Sequence, residues 1–217
     1  MKRMVVVLLG MLCIAARTPT PSPSAASLSP QQVAAEEFRD GARQLDRAAK
    51  LHEELQAATD PKKREGVQKK LNKTLENAAR SFQKAALNEP KMVQAYSELG
   101  FALRKLGRYD ESLAAYEKAL SIVPNFSPAI EYRAEAHLGL NRVKEAKDAY
   151  LLLFSGDRPR ADLLFAAMKR WVAERTADPA GADPAQVTAL AKFVDERAAI
   201  HAQTSPATVA SGDMRSW

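Results

Sequence analysis

Apolar residues recur at three- and four-residue intervals along most of the chain. From Ser29 to Gln56 one broad stripe carries Val33, Phe38, Ala42, Leu45, Ala49, His52 and Leu55, which predicts a single long helix. Ser29 is suited to cap it and Pro30 to fill its first position. Thr59–Asp60–Pro61 reads as a turn and a new helix start. Lys62 to Leu87 then carries Val67, Leu71, Leu75, Ala78, Phe82 and Ala85 on one face. Shorter segments follow. Tyr96, Leu99, Gly100 and Leu103 mark a helix broken at Gly107. Ser112, Tyr116 and Ala119 mark the next, closed by Pro124, whose ring clashes with a continuing turn. Arg160 to Arg175 repeats the pattern with Leu163, Leu164, Ala167, Met168, Trp171 and Val172. After a loop over Ala177 to Ala182, Asp183 and Pro184 open a last helix reaching about Ala202, with Val187, Leu190, Val194 and Ile200 facing inward.

These segments are periodic. Phe82, Tyr116 and Tyr150 are evenly spaced, and the same interval separates Ala78, Ser112 and Ala146, and again Ala85, Ala119 and Leu153. Pro90 and Pro124 share it. The period is about 34 residues, the length of one helical-hairpin repeat unit. Small, aromatic and small residues at i, i+4 and i+7 occupy one helix face. The best unit, Val93 to Phe126, has small residues at 100 and 112, where two antiparallel helices approach closely, with Tyr116 packing toward the neighbouring unit.

The pattern Tyr96–x–x–Leu99–Gly100–x–x–Leu103, then Ser112–x–x–x–Tyr116–x–x–Ala119 and Pro124, resembles a tetratricopeptide repeat. Ser112 replaces the family's usual Ala and Leu103 its usual Tyr. The next unit, Ser127 to Arg160, departs further, with Arg133 where Leu is usual. Upstream, Glu37–x–x–Asp40–Gly41 supplies the first-helix signal. The interval from Gly41 to Gly100 exceeds one period by about 25 residues. A lengthened first hairpin accommodates the excess, each arm extended by about half of it, roughly three turns. The fold expected is all-α: a short tetratricopeptide-type helical-hairpin solenoid with an elongated first hairpin and C-terminal capping helices. The array occupies 31–160 and the capping helices 161–203.

The resemblance implies protein binding in a concave groove lined by the first helix of each unit. The matching positions are Phe38, Ala42 and Leu45, then Gln94, Ser97, Phe101, Arg104 and Lys105, then Glu131, Glu135 and Leu138. Phe101 either offers a ring to a partner or packs on the adjacent first helix. Glu131 and Glu135 are expected to set an acidic wall beside Arg104 and Lys105, suiting a peptide that carries both signs of charge. Some family members grip acidic chaperone C-termini with Lys, Asn and Arg. The matching positions here are Phe38, Ala42, Glu98, Pro128 and Tyr132, so that activity does not transfer.

Composition narrows the remaining chemistry. Only 9 Gly and 6% aromatic residues, against abundant Ala, Leu, Lys and Glu, disfavour a sheet-rich enzyme built on Gly-rich loops. Lys2 and Arg3 precede an apolar stretch, Val5 to Ala16, too short to span a bilayer. This predicts a signal peptide over 1–26, a tether at 27–30 and a periplasmic or secreted protein. Membrane anchoring by an uncleaved leader is the alternative. Residues 204–217 are expected to fray. Removing Lys2, Arg3 and Arg17 from a formal charge of +6 leaves +3, too mild to imply nucleic acid.

The single Cys, Cys13, lies in the leader, so no disulfide or Cys-based metal site is expected beyond it. His52, His137 and His201 lack ligand-spaced partners, and no nucleophile or phosphate-loop motif occurs. No cofactor, no metal site and no enzymatic activity are expected. Function is expected to lie in a surface, with a protein of unknown identity as partner and no oligomeric state implied. A second reading rests on the basic hairpin tip, Lys62, Lys63 and Arg64, as a peripheral contact for anionic lipid or cell-wall polymer.

Overall fold

The computed structural model describes residues 28–204. The expected leader and nearly all of the expected tail lie outside them. Eight helices follow in antiparallel pairs: α1 Pro30–Ala57 with α2 Pro61–Asn88, α3 Val93–Lys105 with α4 Tyr109–Ile122, α5 Ser127–Gly139 with α6 Val143–Gly156, and α7 Arg158–Ala177 with α8 Pro184–Thr204. Among the described residues there is no strand, and the all-α hairpin solenoid is the fold observed. None of these helices is long and apolar enough to cross a membrane.

The period reappears as geometry. The bounds of α5 and α6 are those of α3 and α4 moved along the chain by one period. Both hairpins turn through a left-handed residue at the equivalent position, Gly107 at φ 75° and Asn141 at φ 58°. Arg108 N donates to Leu103 O at 3.0 Å, and Arg142 N repeats this to His137 O at 2.8 Å. Gly takes that conformation without a Cβ penalty, and Asn is the side-chain-bearing residue that tolerates it best.

The first hairpin is lengthened on both arms. Beyond Gly41, α1 runs about three turns further than α3 runs beyond Gly100. Ahead of Phe82, α2 starts about four turns earlier than α4 starts ahead of Tyr116. Both extensions are close to whole turns, so each buried face keeps its phase. Ser29 closes a capping box with Gln32: Ser29 Oγ accepts from Gln32 N at 3.2 Å while Ser29 N donates to Gln32 Oε1 at 2.8 Å. Asp60 caps α2 by accepting from Lys63 N at 2.7 Å.

One aromatic per hairpin fills the space left by a small residue on the facing helix. A Cβ on Gly41 would lie 2.6 Å from the Phe82 ring, and one on Gly100 would lie 2.5 Å from Tyr116. In the third hairpin the pair is Ala134 and Tyr150, both buried. Tyr116 also reaches the next unit, its ring 6.4 Å from that of Tyr132. The fourth pair continues the stack, since α7 packs on both α5 and α6 as α5 packs on α3 and α4. Trp171 anchors it by donating from Nε1 to Leu138 O at 2.7 Å. In α8, Leu190 and Val194 are buried as expected, but Ile200 is exposed. The buried ring of that helix is Phe193, edge-on to Tyr150 at 5.7 Å.

Candidate interaction surfaces

The expected groove positions lie on the first helices α1, α3 and α5. Most of these side chains are turned into the array. Phe101 is 1% exposed, with its ring 5.1 Å from Tyr132 of the next first helix. The expectation that it offers a ring to a partner is therefore corrected: it is a core residue. The physical reason is that α3 and α5 lie close enough for side chains to meet across the groove. Ser97 is buried as well, and Leu138 is buried in the core shared by the last two hairpins. Leu45 is buried against α2 and Phe38 half-buried, edge-on to Phe82 at 5.4 Å. Ala42 is half-buried, and Gln94 is exposed.

The charged groove residues form a chain rather than an open wall. Arg104 Nη1 donates to Glu135 Oε2 at 2.6 Å. One turn away on α5, Glu131 Oε2 accepts from Arg160 Nη1 of α7 at 2.8 Å. Arg160 also reaches the Tyr132 hydroxyl at 3.4 Å, and both guanidinium groups flank the Tyr132 ring, at 5.7 and 5.5 Å. The acidic wall beside Arg104 thus exists, but Glu131 is 2% exposed and the Glu135 side chain 11%. Three first helices are tied together by two arginines and two carboxylates.

Burial and charge order their protonation. Burial pushes the Glu131 carboxyl well above its ordinary value, and Glu135 pushes it further. Burial also works against ionisation of Glu135, but Arg104 overcomes it and holds that carboxyl low. Glu135 likewise keeps Arg104 charged against its burial. Lys105, next on α3, is pushed down to about 7 by burial and by Arg104.

Where the chain of charges ends, the concave side stays open. A cleft of about 270 Å³ lies between the C-terminal ends of α3, α5 and α7, lined by Lys105, Glu135, Arg170, Trp171, Glu174 and Arg175, among others. Of the expected groove residues, Arg104, Lys105, Glu135 and Leu138 border it. Arg170, Glu174 and Arg175 were not anticipated, because they lie on a helix read as a cap.

A second surface lies on the outer side. A cleft of about 620 Å³ runs between α2 and α4, floored by Tyr96, Leu99 and Leu103 of α3. One period further on, the same positions hold Ile130, Arg133 and His137, which line a smaller outer cleft of about 380 Å³ with Glu145, Asp148 and Leu152. Arg133, the departure from the repeat pattern, thus stands in the lining of the second outer cleft where Leu99 stands in the first. Burial lowers the pKa of His137 there. The repeat register was the signal that could have exposed both clefts.

The hairpin tip is solvent-exposed. Lys62 and Lys63 are exposed, with Lys63 Nζ 3.9 Å from Glu54 of α1, and Arg64 Nη1 donates to Ala58 O at 3.1 Å, closing the turn. Asn72 and Thr74 of a sequon-like triplet lie within α2, where the buried Thr74 hydroxyl donates to Lys70 O at 2.8 Å. Among the described residues no group of three His, Cys, Asp or Glu side chains is placed to hold a metal ion.

Residues 93–126 match the family model of the tetratricopeptide repeat. That match and the all-helical repeat architecture support a tetratricopeptide-repeat protein. Such repeats mediate protein–protein interaction as a class. No curated protein matches the chain.

Proposed function

We propose that this is a non-enzymatic, extracytoplasmic scaffold or assembly factor that binds a charged segment of a partner protein at the concave cleft. The observation that carries the reading is the convergence of Lys105, Arg170 and Arg175 with Glu135 and Glu174 at the ends of three stacked first helices. Such a rim presents both signs of charge with an excess of cations. Burial first, and then the Arg104 charge, lower Lys105; an acidic group entering the rim offsets the second of these. The apolar run after Lys2 and Arg3 supports export.

The test joins location to binding. Cell fractionation with N-terminal sequencing is expected to find a processed chain outside the cytoplasm. Pull-down from envelope extracts is expected to recover a defined protein whose retention falls at least tenfold with Arg170→Glu. A cytosolic chain, or retention indifferent to that change, overturns the reading.

The projecting hairpin favours a second reading. Its arms extend about 17 and 21 Å past the regular repeat length at about 1.5 Å per residue, carrying Lys62, Lys63 and Arg64 to the tip. This tip would contact anionic lipid or cell-wall polymer. Co-sedimentation with anionic liposomes or peptidoglycan, lost on reversal of the three charges, supports it; no co-sedimentation rejects it.

A further inference from the structure

We propose that the outer cleft between α2 and α4 is a second docking site, and that it receives an amphipathic α-helix from a partner protein with acidic residues at one end of its apolar face. The proposal goes beyond the concave-cleft reading, uses different residues, and stands or falls separately.

The shape selects a helix. Tyr96, Leu99 and Leu103 form a floor about 10 Å long, spaced three and four residues apart along α3. Ala79 of α2 and Ala114 and Ala115 of α4 line the walls, small enough for a third helix to approach closely. All three elements are helices, so their central backbone groups are already hydrogen-bonded. An extended peptide would leave its own N–H and C=O groups facing alanine, whereas a helix satisfies them internally.

Charge selects its polarity. At the end of the cleft where α4 begins, Arg108 and Glu111 neutralise one another, with Arg108 Nε donating to Glu111 Oε1 at 2.7 Å, and Glu76 lies near Arg108. One turn beyond Glu76 stands Arg80, hydrogen-bonded to neutral Asn77, and further along α4 stands Lys118; neither has a carboxylate at ion-pair distance among the described residues. From mid-cleft to the Lys118 end the lining is positive. Carboxylates on the incoming helix are therefore drawn to Arg80 and Lys118, which fixes its direction in the cleft.

The probe is a synthetic peptide of about four helical turns, with Leu at two-turn spacing and a Glu pair at one end; its twin carries Lys in place of Glu. Binding to the full chain is followed by fluorescence anisotropy at low salt. The Glu peptide is expected to bind at least tenfold more tightly than the Lys twin. Ala114→Arg, on an exposed wall position, is expected to weaken binding at least tenfold with an unchanged melting temperature. Paired Arg80→Glu and Lys118→Glu is expected to reverse the preference, and Lys105→Glu on the concave side to leave it intact. Absence of binding, equal binding of the twins, or equal sensitivity to Lys105→Glu overturns the proposal. A dimer of the chain that Ala114→Arg dissolves would assign the cleft to a second copy and overturn it too.

Discussion

Gly100 and Tyr116 are a fitted pair: the space a Cβ would need on Gly100 is filled by the Tyr116 ring edge, 2.5 Å away. The contact closes the hairpin of the best-matched repeat, and Gly41 with Phe82 reproduces it one unit earlier. Gly100→Leu is expected to push α3 and α4 apart and lower stability by about 1–3 kcal/mol, the range for overpacking a close contact. Urea denaturation measures it. An unchanged midpoint contradicts the packing described.

Phe101 carries a prediction opposite in sense to that of an exposed anchor. Its ring is sealed against Tyr132, so Phe101→Ala is expected to cost about 3–5 kcal/mol, as for other buried aromatic truncations. Thermal unfolding of the variant tests this. A loss below about 1 kcal/mol would return the ring to the groove surface.

The two carboxylates of α5 are expected to titrate in opposite senses. The folded pKa of Glu131 lies above the ordinary 4.5, so its contribution is present below that value and is lost as pH rises through the folded one. Glu131→Gln should therefore gain on the parent as pH rises from about 5 to 8. Glu135, held low by Arg104, contributes above the ordinary value and loses that contribution as pH falls through its folded one. Glu135→Gln leaves Arg104 buried without its carboxylate, and a loss of about 3–5 kcal/mol is expected near neutrality. Urea unfolding of both variants across this pH range decides it; parallel curves contradict the assignment.

The left-handed turn residues test the repeat register. Gly107→Ala places a Cβ at φ 75° and is expected to destabilise by about 1 kcal/mol or more. Asn141→Gly frees the equivalent position of strain but removes the Asn141 side chain, which meets Ala180 O at 3.5 Å and Arg175 Nε at 3.4 Å. Its net effect is expected within about 0.5 kcal/mol, as for substitutions that spare the core. Calorimetry on both variants separates them.

Much of this architecture was legible because helices and turns obey local rules. Ser29, Asp60, Gly107 and the evenly spaced aromatics mark boundaries with residues that lie near one another in sequence. The lengthened hairpin followed from the interval between Gly41 and Gly100. What the sequence withheld is contact between units. Phe101 meets Tyr132, and Arg104 meets Glu135, each one unit further along the chain. Only the spacing of stacked helices decides whether such side chains fill the groove or line it. The repeat pattern makes Arg160 the end of a unit, yet it holds Glu131 from the first turn of α7. The outer clefts lie on the opposite face of the first helices from the family groove, so the groove positions carry no sign of them.

The proposed engagement of the concave cleft by a partner protein can be read out in the living cell. Crosslinking in the native cell from a photoreactive residue at Arg170, followed by mass spectrometry, tests it most directly. Crosslinks are expected to concentrate on a charged segment of one defined extracytoplasmic protein, and to be lost when Lys105 and Arg175 are reversed to Glu. Crosslinks scattered over abundant proteins, or unchanged by those reversals, would contradict it.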